Sequence, residues 1–210
     1  SLTFGLGLAA GGAATFDMSL GGNNTFVAGS AAAYNGSLTY TGGAGDDSLT
    51  FDDYLAEDGG TATFNMSLGG NNTFVAGSAA AFEEGSIAYT DGSGTDSLTF
   101  GANLAAGGAA TFDMSAGGNN TLVAGSSAAS SSGSIDYTGG SGVDSLTFGT
   151  YLAAFSGTAT FDLGSDSAVD TVTFEGTVAA SGANVSISNF DPSDGDTIVL
   201  QLFSDTADVT

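Results

Sequence analysis

The sequence predicts an all-β chain folded as a single β-solenoid of about nine coils, about 24 residues per coil, with two main strands in each coil. Three observations lead there. First, short phrases repeat: Ser-Leu-Thr-Phe stands at Ser1–Phe4, Ser48–Phe51, Ser97–Phe100 and Ser145–Phe148, and Gly-Gly-Asn-Asn-Thr at Gly21–Thr25, Gly69–Thr73 and Gly117–Thr121. Second, this long period divides into two unequal halves, marked by one acidic or amide residue before each strand: Asn24, Asp47, Asn72, Asp96, Asn120, Asp144, Asp170 and Asp196. Third, each half holds two short runs whose apolar residues alternate with polar ones, the period-2 signature of a half-buried strand.

In the first run of a half, Leu49 and Phe51 point inward while Ser48 and Thr50 point outward, and the same holds for Phe26 with Ala28, Leu98 with Phe100, Leu122 with Ala124, Leu146 with Phe148, Val172 with Phe174 and Ile198 with Leu200. In the second run the inward pairs are Phe16 and Met18, Leu38 and Tyr40, Phe64 and Met66, Ile87 and Tyr89, Phe112 and Met114, Ile135 and Tyr137, Phe161 and Leu163, then Val185 and Ile187. A Gly-rich turn closes one end of each half. At the other end alanine pairs such as Ala32–Ala33, Ala80–Ala81, Ala105–Ala106 and Ala128–Ala129 predict a tight inward corner, because small side chains let stacked corners approach. Equivalent strands then hydrogen-bond between coils at ~4.8 Å, giving a rod roughly 40 Å long. Residues 1–188 form the repeat solenoid, and residues 189–210 a terminal coil and tail of the same domain.

Composition sets limits on function. The chain has no Lys, Arg, His, Cys or Trp, carries 23 Asp and Glu for a formal charge of −23, and includes 15 Phe and 6 Tyr. With regularly placed aromatics it can bury a core, unlike a disordered acidic tail. No side-chain cation can pair with any carboxylate, so neutralisation must come from metal, counterions, hydrogen bonds or a raised carboxylate pKa. Nucleic acid and anionic membrane surfaces are excluded as partners, because both demand Lys or Arg. No apolar run approaches the ~18 residues of a membrane helix, so no membrane insertion is expected. No basic start followed by an apolar stretch is seen, so the 210 residues read as a mature or excised segment. Without His, Lys or Cys no serine has an activating partner, and Asp52–Asp53 and Glu83–Glu84 read as solvated loop charge; the chain is not expected to be an enzyme.

The turns before alternate strands read Gly42-Gly43-Ala44-Gly45-Asp46-Asp47-Ser48-Leu49-Thr50, Asp91-Gly92-Ser93-Gly94-Thr95-Asp96-Ser97-Leu98-Thr99 and Gly139-Gly140-Ser141-Gly142-Val143-Asp144-Ser145-Leu146-Thr147. They resemble the G-G-x-G-x-D-x-U-x nonapeptide of the repeats-in-toxin (RTX) secreted proteins, calcium-binding parallel β-rolls. The middle copy departs from it, with Asp91 in place of the first Gly. The resemblance implies Ca²⁺ held between turns by Asp47, Asp96, Asp144, Asp170 and Asp196, with Asn24, Asn72 and Asn120 offering neutral oxygens in the intervening turns. Calcium takes six to eight such oxygens. RTX rolls repeat the nonapeptide in direct tandem, whereas here it returns every second coil, so each site would carry about half the family's charge and bind more weakly. The same Asp and Asn residues suit another role, capping the turn through backbone N–H groups and stacking as a ladder. The segment Asn189-Phe190-Asp191-Pro192-Ser193-Asp194-Gly195-Asp196 is similar to the close of RTX arrays exported by type I secretion, which implies a secreted, extracellular protein of a bacterial surface or matrix.

The outward residues of the first strands form a strip without charge: Ser1 and Thr3, Thr25 and Val27, Ser48 and Thr50, Thr73 and Val75, Ser97 and Thr99, Thr121 and Val123, Ser145 and Thr147, Thr171 and Thr173, Thr197 and Val199. The opposite face admits Asp17, Asp113, Asp136 and Asp162. Such a strip suits face-to-face packing of identical chains, or an ordered surface such as ice, since it resembles the Thr-x-Thr arrays of ice-binding β-solenoids. Ser1 begins directly on a strand and the far end finishes on Ile198–Leu200, so the expectation is either a longer array or a homopolymer stacked head to tail. The function expected is an extracellular structural protein of fibres or a surface layer, calcium-stabilised, with an ice- or surface-binding adhesin module as the alternative.

Overall fold

The computed structural model describes residues 1–180 and 182–201; residues 202–210, which the sequence places in the tail, lie outside it. No helix occurs among the described residues, and none therefore is long and apolar enough to cross a membrane. The chain winds as a parallel β-solenoid of about eight turns, one fewer than expected, because the strand Thr197–Leu200 only begins a ninth.

Each coil contributes one strand to each of two sheets. The front sheet has nine strands stacked in chain order: Leu2–Phe4, Thr25–Ala28, Ser48–Phe51, Thr73–Ala76, Ser97–Phe100, Thr121–Ala124, Ser145–Phe148, Thr171–Phe174 and Thr197–Leu200. The back sheet has eight: Ala13–Asp17, Ser37–Thr41, Thr61–Asn65, Ser86–Thr90, Ala109–Asp113, Ser134–Thr138, Thr158–Asp162 and Asn184–Ser188. Every pairing within them is parallel and in register, as Ser97↔Thr121 to Phe100↔Ala124 illustrates.

The core explains why the sequence repeats every second coil. Along the front sheet Phe51, Ala76, Phe100, Ala124 and Phe148 lie in one column. Along the back sheet Leu38, Ala62, Ile87, Ala110, Ile135 and Ala159 lie in another. A large side chain thus sits over a small one at each step, which lets ~4.8 Å layers close at interior packing density. Phe16 is level with Tyr40, and Ala14 with Leu38, so the inward residues of the back strands fill three columns where the sequence pairs suggested two. The third column continues past the strand: Met66 reaches into the gap at Gly42, where an added Cβ would lie 2.6 Å from its Cε. Phenylalanines bridge the layers, with Phe51–Phe74 centroids at 5.4 Å, Phe74–Phe100 at 5.3 Å and Phe64–Phe74 at 4.8 Å.

The predicted alanine corner is present. Ala32, Ala33, Ala80, Ala81, Ala105, Ala128, Ala129 and Ala153 are buried, and Leu55–Ala56 fills the same place in the one coil without an alanine pair. Three corners pair as a small sheet of Ala33–Tyr34, Ala56–Glu57 and Ala81–Phe82. Each corner is entered through a left-handed residue two positions earlier: Ala31, Tyr54, Ala79, Asn103, Ser127 and Tyr151 all have φ between 54° and 60°. That conformation costs roughly 1–2 kcal/mol for a non-glycine residue, so burial of the corner must offset it. The exit needs glycine for a different reason. A Cβ on Gly60 would stand 1.7 Å from the Ala33 carbonyl oxygen of the coil below, which no relaxation of a side chain can relieve.

Candidate functional site: the aspartate–asparagine column

The turns that close each coil on the far side from the corner bring the sequence-predicted residues into one column along the rod. Six are almost wholly buried: Asp47, Asn72, Asp96, Asn120, Asp144 and Asp170 are each 2% exposed or less. Their side chains point along the stack. The backbone N–H of Asn24 donates to Asp47 Oδ1 at 2.8 Å, that of Asp47 to Asn72 Oδ1 at 3.0 Å, and that of Asn72 to Asp96 Oδ1 at 2.8 Å. The series continues from Asp96 to Asn120, Asn120 to Asp144, Asp144 to Asp170 and Asp170 to Asp196. All eight predicted residues therefore belong to one ladder, in which the seven side chains from Asp47 to Asp196 each hold the turn of the coil before, and Asn24 is the first rung.

A second ladder runs beside it with the opposite polarity. The N–H of Asp46 donates to Asn23 Oδ1, that of Asn71 to Asp46 Oδ1, that of Thr95 to Asn71 Oδ1 and that of Val143 to Asn119 Oδ1. The doubled Asn-Asn and Asp-Asp of the turns thus clamp a coil from both sides. This outer ladder is legible only in the doubling.

Burying carboxylates without cations requires another compensation, and it comes from the back sheet. Tyr40, Tyr89 and Tyr137 donate their hydroxyls to Oδ2 of Asp47, Asp96 and Asp144 at 3.3, 2.5 and 2.8 Å, each from seven residues upstream. The coils whose turns end in Asn72 and Asn120 carry Phe64 and Phe112 in the same column instead. The matching is chemical. An aspartate has a second oxygen that needs a donor, and a buried hydroxyl supplies it. An asparagine has its own N–H to place, and Asn72 Nδ2 reaches Asp96 Oδ2 at 3.3 Å. Burial first, and then the charges of Asp96 and Asp144, hold the Tyr89 and Tyr137 hydroxyls well above the usual tyrosine range.

Two positions break the pattern. Asp170 faces no tyrosine, because Phe161 occupies that place. Burial pushes its carboxyl up to about 6, and the one backbone hydrogen bond from Asp144 only partly opposes this. Asp91 stands where Gly42 and Gly139 stand in the neighbouring Asp coils. It is 2% exposed, its Oδ1 takes only the adjacent Gly92 N–H, and its Oδ2 is buried without a partner. Burial foremost, and then contact with the Asp96 carboxylate, raises its carboxyl to about 9. Both effects hold Asp91 toward its neutral form, which can share its proton with the Asp96 carboxylate. The sequence marked it only as a departure from the nonapeptide.

Asp47, Asp96 and Asp144 do not fit a calcium ion. The oxygens of Asp47, Asp96 and Asp144 already accept a backbone N–H and a tyrosine hydroxyl, inside the rod rather than on the turn surface. Among the described residues no three carboxylates gather closely enough to hold a metal ion, whereas calcium takes six to eight oxygens. The arrangement does the other work weighed for it, joining coil to coil. Comparison with protein-family models, with curated proteins and with solved structures finds no match.

Proposed function

We propose that this chain is an extracellular structural protein whose solenoids build fibres or a surface layer. The observation that carries the reading is the uniformity of the attachment between coils. Backbone pairing, the buried inner ladder and the aromatic columns recur at successive levels, so a stack extends by the same contacts whether the next coil belongs to the same chain or to another copy. Such growth does not close on itself, and its product is a filament. The extracellular setting rests on the likeness of the turns to RTX repeats.

Negative-stain electron microscopy of the 210-residue chain, in salt that screens its charge, tests this. Filaments with an axial repeat of roughly 40 Å are expected from eight coil spacings. A strictly monomeric species by light scattering across a full salt titration would end the reading. A second reading, recognition of ice or a crystalline surface, is favoured by one feature: the outward column Thr25, Ser48, Thr73, Ser97, Thr121, Ser145, Thr171 and Thr197 puts a hydroxyl at every coil in strict register. Thermal hysteresis by the monomer would support it.

A further inference from the structure

We infer that the outer face of the front sheet is a self-association surface, on which a second copy of this chain packs face to face. The inference rests on the structural reading above and names the lateral partner that reading leaves open.

Charge singles out the face. Every copy carries 23 acids and no side-chain cation, so two copies repel wherever carboxylates meet. The back sheet turns Asp17, Asp113, Asp136 and Asp162 outward. The acidic corner carries Glu57 beside Asp58 and Glu83, close enough that their charges add to burial in raising the Glu57 carboxyl. The outward residues of all nine front strands are Ser, Thr and Val alone. This side lets another polyanion approach without desolvating a carboxylate, a cost of several kcal/mol per unpaired ion.

Shape points the same way. The first outward column alternates Thr25, Ser48, Thr73, Ser97, Thr121 and Ser145, so a methyl-high ridge returns every second coil. Beside it Val27, Thr50, Val75, Thr99, Val123 and Thr147 form a near-isosteric column of β-branched side chains, with Val75 36% exposed. A second copy displaced by one coil, ~4.8 Å, sets its ridges into these grooves. Nine strands, eight of four residues and one of three, make a strip of roughly 40 by 13 Å, so pairing covers roughly 1,000 Å² over both copies, at the lower bound for a specific interface. The repulsion of the remaining surfaces opposes pairing and is screened beyond ~8 Å at physiological salt. The dimer therefore strengthens with salt.

The test measures rod width and lateral pairing by negative-stain electron microscopy with three proteins: the wild type, Thr99→Asp on this face, and Thr63→Asp on the outer face of the back sheet. In physiological salt the wild type and Thr63→Asp are expected to form laterally paired rods that separate at low ionic strength, while Thr99→Asp gives single rods with an unchanged circular dichroism spectrum. Because the chain has no cysteine, Thr99→Cys gives a second readout independent of the Asp variant: a bismaleimide with a spacer of about 10 Å, the distance between facing sheets, should cross-link it into dimers, and Thr63→Cys should not be cross-linked. Lateral pairing of Thr99→Asp equal to the wild type would overturn the inference. So would single-rod filaments without lateral pairing, which would leave the fibre reading standing, and so would a wild-type monomer with thermal hysteresis, which would favour the ice reading instead.

Discussion

Replacing Asp91 with glycine, the residue that Gly42 and Gly139 supply at the same place, removes a carboxyl that is 98% buried and has one oxygen without a partner. In an unfolded chain that carboxyl ionises near roughly 3.9, whereas in the fold it keeps its proton until about 9. A carboxyl whose pKa is raised by folding favours the fold below the unfolded value, and that contribution is lost as pH rises toward the folded one. At pH 7 about three pH units of that span have been crossed, so holding the proton costs the fold on the order of 4 kcal/mol. Glycine returns roughly 1 kcal/mol of this through its greater freedom in the unfolded chain. Asp91→Gly is therefore expected to stabilise the protein by about 3 kcal/mol at pH 7, a rise in Tm of roughly 10 °C for a chain of this size. At pH 4 the gain should vanish or reverse. Circular dichroism melts of both proteins between pH 4 and 9 measure the difference directly, and Asp91→Asn should share the loss of pH dependence. Parallel Tm profiles for wild type and Asp91→Gly across that range would refute the reasoning.

The pairing of tyrosine with aspartate predicts a coupled double-mutant cycle. Tyr89→Phe leaves the buried Asp96 carboxylate short of a donor and should cost about 1.5–3 kcal/mol, while Tyr89→Phe with Asp96→Asn recreates the Phe64–Asn72 pair and should recover much of that, as urea melts will show. Gly60→Ala drives a Cβ into the Ala33 carbonyl of the adjacent coil and should lower Tm far more than Gly59→Ala, whose added Cβ meets nothing within 4 Å and carries only the φ +74° strain. Asp170→Asn should raise stability by about 1–2 kcal/mol above pH 7 and have no effect near pH 4, because Asp170 gives up its proton only near pH 6 and is buried as an anion above that.

The strands and their inward faces were legible because a period of two survives any detail of packing, and phrases such as Ser-Leu-Thr-Phe carry their own register. The alanine corner was legible for the same steric reason, but the left-handed residue before it was not: Ala31, Tyr54, Asn103 and Ser127 share no side-chain chemistry that would announce φ near +57°. The column of Asp and Asn was found by spacing. Its role followed only from the contacts between coils, since a carboxylate at a Gly-rich turn suits a cation outside the rod as well as an N–H within it. One signal was present and unread. Tyrosine replaces phenylalanine in the back strands where the turn ends in Asp47, Asp96 or Asp144, and that covariation along the chain already pairs hydroxyl with carboxylate.

Residue-resolved amide hydrogen exchange, with calcium and then with excess chelator, tests the central claim that the buried column joins the coils by itself. The N–H groups of Asp47, Asn72, Asp96, Asn120 and Asp144 each donate to a side chain of the next coil. They should be protected as strongly as the N–H groups of the flanking front strands, and the protection should be unchanged when calcium is removed. Fast exchange at these five amides in chelator, restored by calcium, would contradict the account.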